Sequence, residues 1–412
     1  MRQIQRIIIA LLLLTNNQLF AQTIALKAGA LLDIENEEIL DNAVVIIYKD
    51  KIVEVNYTNN IPDTAEIIDL KDCTILPGLI DGHTHIMSDG GSYENDLYSN
   101  SPVYRALRAT SYLETSLLNG FTTIRDVGNE GTGFADIDLE RSINDGIIDA
   151  PRFIPSAKGI AIKGFYLPLT INKNWTIDLP TGAQYVSGKD ECIKVVREQI
   201  SAGAKWIKVF ADWPTPNNGV KPQFTADELS AVIATANGLG TEVAVHAYMH
   251  DEIKLAIDLG ARSVEHGIEF NSDLADKAVS KNVFWCPTVS AMEYFHAKEY
   301  LDILYTNLKI NYEKGLKVVL GTDAGSFPWT INQAKELEYY VKNADLKPID
   351  AIKCGTTNAA EMLKMENEIG QLKSGYFADI IAVKGNPLED ITLLQNVVFV
   401  MKDGKVYKNN VH

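Results

Sequence analysis

Residues 79–86 read Leu79-Ile80-Asp81-Gly82-His83-Thr84-His85-Ile86, an apolar run that closes on two histidines one residue apart. In an extended strand alternate side chains share a face, so both imidazoles project to one side and can chelate a single cation. A His-x-His pair alone is weak evidence. It becomes decisive because other apolar runs downstream end in comparable groups: Val243-Ala244-Val245-His246-Ala247-Tyr248, Val264-Glu265-His266-Gly267 and Val319-Leu320-Gly321-Thr322-Asp323-Ala324-Gly325. Each carries a hard or borderline ligand at its carboxyl end. A further run, Trp206-Ile207-Lys208-Val209-Phe210, places Ile207 and Val209 on a face suited to packing and Lys208 on the opposite one. A lysine turned inward must be paired or neutral, because a desolvated ammonium is costly. A neutral amine can add carbon dioxide to form a carbamate, an anionic oxygen ligand able to bridge two ions.

Around these runs the chain alternates strand-like and helix-length segments, the rhythm of a parallel sheet. Eight strand candidates stand at 75–86, 120–127, 152–160, 204–210, 242–248, 263–267, 283–288 and 317–324. Amphipathic stretches between them include 104–118, 188–202, 226–238, 250–259, 271–280 and 297–315. This count fits a (β/α)8 TIM barrel better than an open doubly wound sheet, and in such a barrel the strand ends converge on one face. Outside it, short strand-and-turn patterns at the two ends of the chain predict a small β-sandwich domain built from both. The fold class expected is therefore α/β, with a barrel over 76–368 and a composite sandwich from 22–75 and 369–412.

Composition narrows the partners. Lys+Arg 38 against Asp+Glu 54 gives a net charge of −16, and no run of five basic residues occurs, so nucleic acid and anionic membrane surfaces are not expected. Arg2 and Arg6 precede the apolar stretch Ile7 to Leu14, and a cut after Ala21 would complete a secretory signal over residues 1–21. Eight apolar residues cannot span a bilayer that needs roughly 20, so export to a periplasmic or extracellular location is expected, with no membrane association after cleavage. Cys73, Cys192, Cys286 and Cys354 are too scattered for a disulfide framework and read better as small buried hydrophobes.

In this order, Gly82-His83-Thr84-His85, Gly120-Phe121-Thr122-Thr123-Ile124-Arg125-Asp126, Ile207-Lys208, His246-Ala247, Glu265-His266-Gly267 and Gly321-Thr322-Asp323-Ala324-Gly325 closely resemble the metal-dependent amidohydrolase superfamily. Within it the chain is similar to the branch of Xaa-Pro dipeptidases and imidazolonepropionase-related hydrolases. The resemblance implies two divalent ions, with zinc the expected metal and manganese or cobalt left open. His83, His85 and Asp323 would hold one ion, His246 and His266 the other, with carboxylated Lys208 bridging. It further implies a hydroxide shared by the ions, with Asp323 as ligand and general acid/base. Tyr248 resembles a tyrosine that helps polarise the carbonyl in related dipeptidases; packing at the barrel rim is the other reading. The segment Ile160 to Leu167 departs from the Gly-Gly-His-like loop of many relatives, and Tyr166 is the candidate for the histidine's place. His250, four residues after His246, is a candidate for substrate contact or simply a helix end, and the loop carrying His296 is a candidate cover for the site.

The expected function is hydrolysis of an amide bond in a dipeptide, Xaa-Pro above all, or an N-acyl amino acid. A lactone, carbamate or phosphoester is the alternative scissile group. Deamination is disfavoured because His246-Ala247-Tyr248-Met249 lacks the carboxylate that the family's deaminases carry there. A metal-binding protein without catalysis is disfavoured by Asp323. The partner expected is a small amide or dipeptide substrate, and a homo-oligomer is left open.

Overall fold

The computed structural model describes residues 23–56, 61–166, 174, 180–215 and 218–411. The segment expected to direct export therefore lies outside the described residues.

Both ends of the chain meet in one eight-stranded sheet. Strand Thr23–Asp33 pairs antiparallel with Val44–Tyr48 and parallel with Glu66–Pro77, which in turn pairs antiparallel with Ile380–Val383. Phe399–Lys402 and Lys405–Asn409 extend that side, and Lys51–Val55 the other. Pairing is continuous, so the two layers of the expected sandwich are a single hydrogen-bonded sheet. Irregularities at Ala28/Ala30, Ile46/Ile47 and Val400/Met401 strengthen its twist. One apolar cluster joins Val45 and Ile52 from one end of the strand order to Phe399 and Met401 from the other, which requires the sheet to curl over its own core.

The other strands are short and parallel. Leu79–Thr84, Phe121–Asp126 and Arg152–Ile154 form one ladder; Gln184–Val186, Ile160–Ile162, Trp206–Phe210, Glu242–Ala247, Ser263–His266 and Phe284–Cys286 form another. The expectation of eight uninterrupted barrel strands needs correction at two places. The third candidate is split into Arg152–Ile154 and Ile160–Ile162, with Ala157 at φ +61° between them. The eighth, 317–324, joins its neighbours through the bridges Trp285↔Val318 and Thr84↔Ala324 and through backbone bonds such as Gly82 N–H to Leu320 O (2.8 Å) and Asp323 N–H to His83 O (2.8 Å). Asp323 at φ +62° turns the chain out of strand geometry, so regular pairing stops there.

Helices fall close to the amphipathic stretches, for example Pro102–Leu118, Lys189–Ala202, Ala226–Gly238 and His250–Leu259. Thr225 and Glu228 close a reciprocal capping box at the start of Ala226–Gly238, satisfying donors a helix otherwise leaves open. Ile207 and Val209 pack into the outer core with Val196 and Ile233, so Lys208 between them faces the opposite way. All four cysteines are buried and unpaired. No helix among the described residues is long and apolar enough to cross a membrane.

Candidate active site

The strand ends carry the candidate ligands to one place. Ring centroids run His246–His266 4.5 Å, His266–His83 5.1 Å and His83–His85 5.4 Å. Asp323 closes the group, with Oδ1 3.2 Å from His85 Nε2 and 3.6 Å from His83 Nε2. His83, His266 and Asp323 offer ligand atoms within 4.8 Å of one another. Lys208, 1% exposed, lines the same cavity of about 710 Å3 beside His85, His246, His266 and Asp323.

Each imidazole is oriented from behind. His83 Nδ1 lies 2.7 Å from Glu265 Oε2. Glu265 is fully buried, receives Arg125 Nη2 at 2.9 Å, and also accepts from Ser263. Burial alone would raise Glu265, yet Arg125 keeps it below the usual carboxylate range. His85 Nδ1 faces both Gly128 O at 2.9 Å and Glu130 Oε1 at 3.0 Å. His266 Nδ1 meets Thr288 Oγ1 at 2.7 Å. His246 stacks on Tyr248 at 4.7 Å and contacts Trp213 at 5.1 Å, with Asp212 Oδ1 3.6 Å from its Nε2.

Electrostatics fit a cation. Burial pushes His83, His246 and His266 well below their ordinary values, so these rings are neutral and present lone pairs. Burial opposes charge on His85 as well, but hydrogen bonds with Asp323 and Glu130 hold it well above its ordinary value. Lys208 is lowered by burial, the state in which an amine can be carboxylated. The buried Nε2 of His83, aimed at Asp323, has no hydrogen-bond partner among the described residues. Three neutral imidazoles, a shared carboxylate and a buried amine are the donor set that divalent metal ions require.

The backbone is strained where these groups meet. Glu130, Tyr166, His266, Thr288 and Asp323 all take φ between +50° and +64°. For a residue with a Cβ this region is sparsely populated and costs on the order of 1 kcal/mol or more, a strain that concentrates at functional sites.

A profile of the Amidohydrolase family matches residues 74–407. The chain belongs to the amidohydrolase family. It is accordingly a hydrolase acting on carbon–nitrogen bonds, in a family that generally uses divalent metals. Ochratoxinase of Aspergillus niger is 29% identical over 371 residues, covering 81% of this chain and 75% of the relative. Imidazolonepropionase of Thermoplasma volcanium is 23% identical over 366 residues, covering 84% and 85%. A solved Xaa-Pro dipeptidase with methionine bound in its active site superposes with a TM-score of 0.83 at 31% identity, covering 94% of this chain and all of the other.

Other amidohydrolase-site candidates fare differently. Tyr166 and Tyr248 line the cavity. His250 does not; its side chain is 39% exposed and pairs with Asp251, while its backbone N–H caps onto Glu269. Its place as first residue of helix His250–Leu259 accounts for it. After Phe284–Cys286 the helix Val289–Tyr294 stands where a long loop was expected; Tyr294 and Phe295 at its end reach the cavity, and His296 is not among the described lining residues. Glu130, Asp212, Thr288 and Trp213 were not singled out in the sequence, since each reaches the site from a loop or hairpin with no local pattern.

Proposed function

We propose that the chain is an exported, binuclear metal-dependent amidohydrolase that cleaves the amide bond of dipeptides, Xaa-Pro in type, or of N-acyl amino acids. In this reading residues 1–21 are the export signal, the parallel strands form a (β/α)8 barrel over 76–368, and 22–75 with 369–412 form the accompanying domain. The observation that supports it most is the convergence of His83 Nε2 and His85 Nε2 on Asp323 Oδ1, with His266 within ligand distance.

His83, His85 and Asp323 would hold one ion, His246 and His266 a second, and carboxylated Lys208 would join them; its amine adds to the carbon of CO2 and loses a proton. Two such ions, zinc in this reading, would supply an activated water at neutral pH and polarise the scissile carbonyl. Asp323 takes the proton of the attacking water and returns it to the leaving amine. Tyr248 is held protonated by burial, its pKa raised, so its hydroxyl can donate to the carbonyl oxygen. Closely packed Tyr166, Phe210 and Trp213, with ring centroids 4.5–5.3 Å apart, exclude water from one wall. The test is release of free amino acids from a dipeptide and N-acyl amino acid library by zinc-loaded protein. Turnover confined to one leaving-group class is the expected result; two bound ions with no amide turnover would reject it in favour of ester or lactone substrates.

A further inference from the structure

Glu130 backs His85, and its place on the cavity wall gives it room for a second duty. It is 6% exposed, yet it lines the cavity. Oε1 faces His85 Nδ1 at 3.0 Å, and Oε2 accepts the Tyr166 hydroxyl at 2.9 Å. A carboxylate has about four acceptor positions, so each oxygen keeps a lone pair for a ligand.

Its surroundings are aromatic and acidic. Tyr93 and Tyr166 meet edge to face at 6.2 Å, and Tyr166 lies 4.6 Å from Trp213. Tyr93 Oη is buried without a hydrogen-bond partner among the described residues. Gly182 lets this wall close: a Cβ there would stand 2.1 Å from Tyr93 Oη and 2.5 Å from Glu130 Oε2. Among the described lining residues Lys208 is the one lysine or arginine, beside the acids Glu94, Glu130 and Asp323. A buried carboxylate flanked by tyrosine hydroxyls is a receptor for a cationic nitrogen, which gains a charge-assisted hydrogen bond.

Position selects the nitrogen. A single imidazole separates Glu130 from Asp323, since His85 touches the first through Nδ1 and the second through Nε2. A cation held by Glu130 must therefore sit close to the scissile carbonyl. An α-ammonium stands one carbon from that carbonyl, whereas a side-chain ammonium stands several away. We infer that Glu130, with Tyr93 and Tyr166, binds the free α-ammonium of the substrate's acyl part, making aminoacyl amides the substrate class and excluding N-acyl amino acids. This rests on the amide-hydrolase reading and narrows it. An acyl cap would put a carbonyl oxygen against the carboxylate and leave that buried charge unpaired.

The experiment compares each dipeptide with its N-acetylated form on the metal-loaded full chain. N-acetylation is expected to lower kcat/KM by about 100-fold in the wild type, and Glu130→Gln to shrink that ratio to about tenfold or less. The ratio is internal to each protein, so a uniform loss through His85 does not move it; metal content of the variant is measured alongside. Equal turnover of capped and free substrates overturns the inference while the amide reading stands. If neither is cleaved, calorimetric titration with L-phenylalaninamide and N-acetyl-L-phenylalaninamide decides. Tighter binding of the free amine, lost in Glu130→Gln, upholds the inference although the amide reading has failed; equal binding overturns it.

Discussion

The two halves of the site are built differently. His83 and His85 are backed by carboxylates, Glu265 at 2.7 Å and Glu130 at 3.0 Å, and Glu265 is tied to Arg125. His266 is backed by the Thr288 hydroxyl, and His246 lies among Tyr248 and Trp213 rings with Asp212 no nearer than 3.6 Å. An anionic partner fixes the tautomer and raises the basicity of a ligand imidazole more than a hydroxyl does. The halves therefore differ in ligand strength although their histidines are alike. In the proposed two-ion reading the His83/His85 half would be the tighter metal position and the His246/His266 half the looser one.

In the proposed mechanism Asp323 serves the His83/His85 half and also handles protons, so Asp323→Asn should give the largest effect: a fall in kcat of about 10²–10⁴-fold with the circular dichroism spectrum retained. An equally active variant would remove Asp323 from the chemistry. Next, Glu265→Gln should weaken metal affinity by about 10–100-fold in a chelator competition and destabilise the fold by about 3–5 kcal/mol, because Arg125 keeps its charge in the interior without a counter-ion. Thr288→Val should cost less on both readouts. If it loosens metal as much as Glu265→Gln does, the contrast between the halves is wrong. Reconstitution in buffer stripped of carbon dioxide should fill the tight position alone, with bicarbonate restoring the second ion; metal analysis before and after addition checks this, and full loading without bicarbonate would remove the carbamate from the account.

The smallest effect is a slope. Burial pushes Asp212 from 3.8 up to about 7, despite hydrogen bonds from the Tyr248 and Met249 backbone, while Glu265 and Glu130 are lowered. A raised carboxylate binds its proton more tightly in the folded chain, so its stabilisation is complete below its unfolded value and lost as pH rises towards 7. The lowered pair has the opposite sign, contributing above about pH 4.5 and losing its contribution on acidification. In chelated protein, Asp212→Asn should flatten the decline in stability between about pH 4 and 7 by up to about 1 kcal/mol per pH unit, read from denaturant midpoints. An unchanged slope would mean that Asp212 is ionised throughout.

How much of this was legible depended on whether the information is local. The convergence of the candidate ligands was readable because a strand repeats every two residues, so His83, His85 and Lys208 declare their face from neighbours alone. Glu265 stood within the quoted motif, but its purpose depends on Arg125 from a different strand, and no spacing relates the two. Glu130 lies in a loop after a strand end and Asp212 at the start of the hairpin strand Asp212–Thr215, where side-chain direction is set by tertiary packing. The left-handed backbone at Asp323 explains why 317–324, an apolar run like the others, does not continue as a regular strand. Of the two readings open for His250, substrate contact or a helix end, the structure has the second: the helix that starts at His250 carries the side chain off the cavity wall.

The eight-stranded sheet has a consequence for the order in which the molecule can be completed. Glu66–Pro77 runs, after the single residue Gly78, into Leu79–Thr84 and its histidine pair, and its other edge is covered by Ile380–Val383. During synthesis the amino-terminal strands emerge some three hundred residues before the segment that covers them. Until then the Glu66–Pro77 strand presents an open edge, the kind of surface that recruits foreign strands. A ribosome that stalls before residue 380 would thus release a chain with every candidate ligand present and its first sheet unfinished, an edge that the whole chain covers.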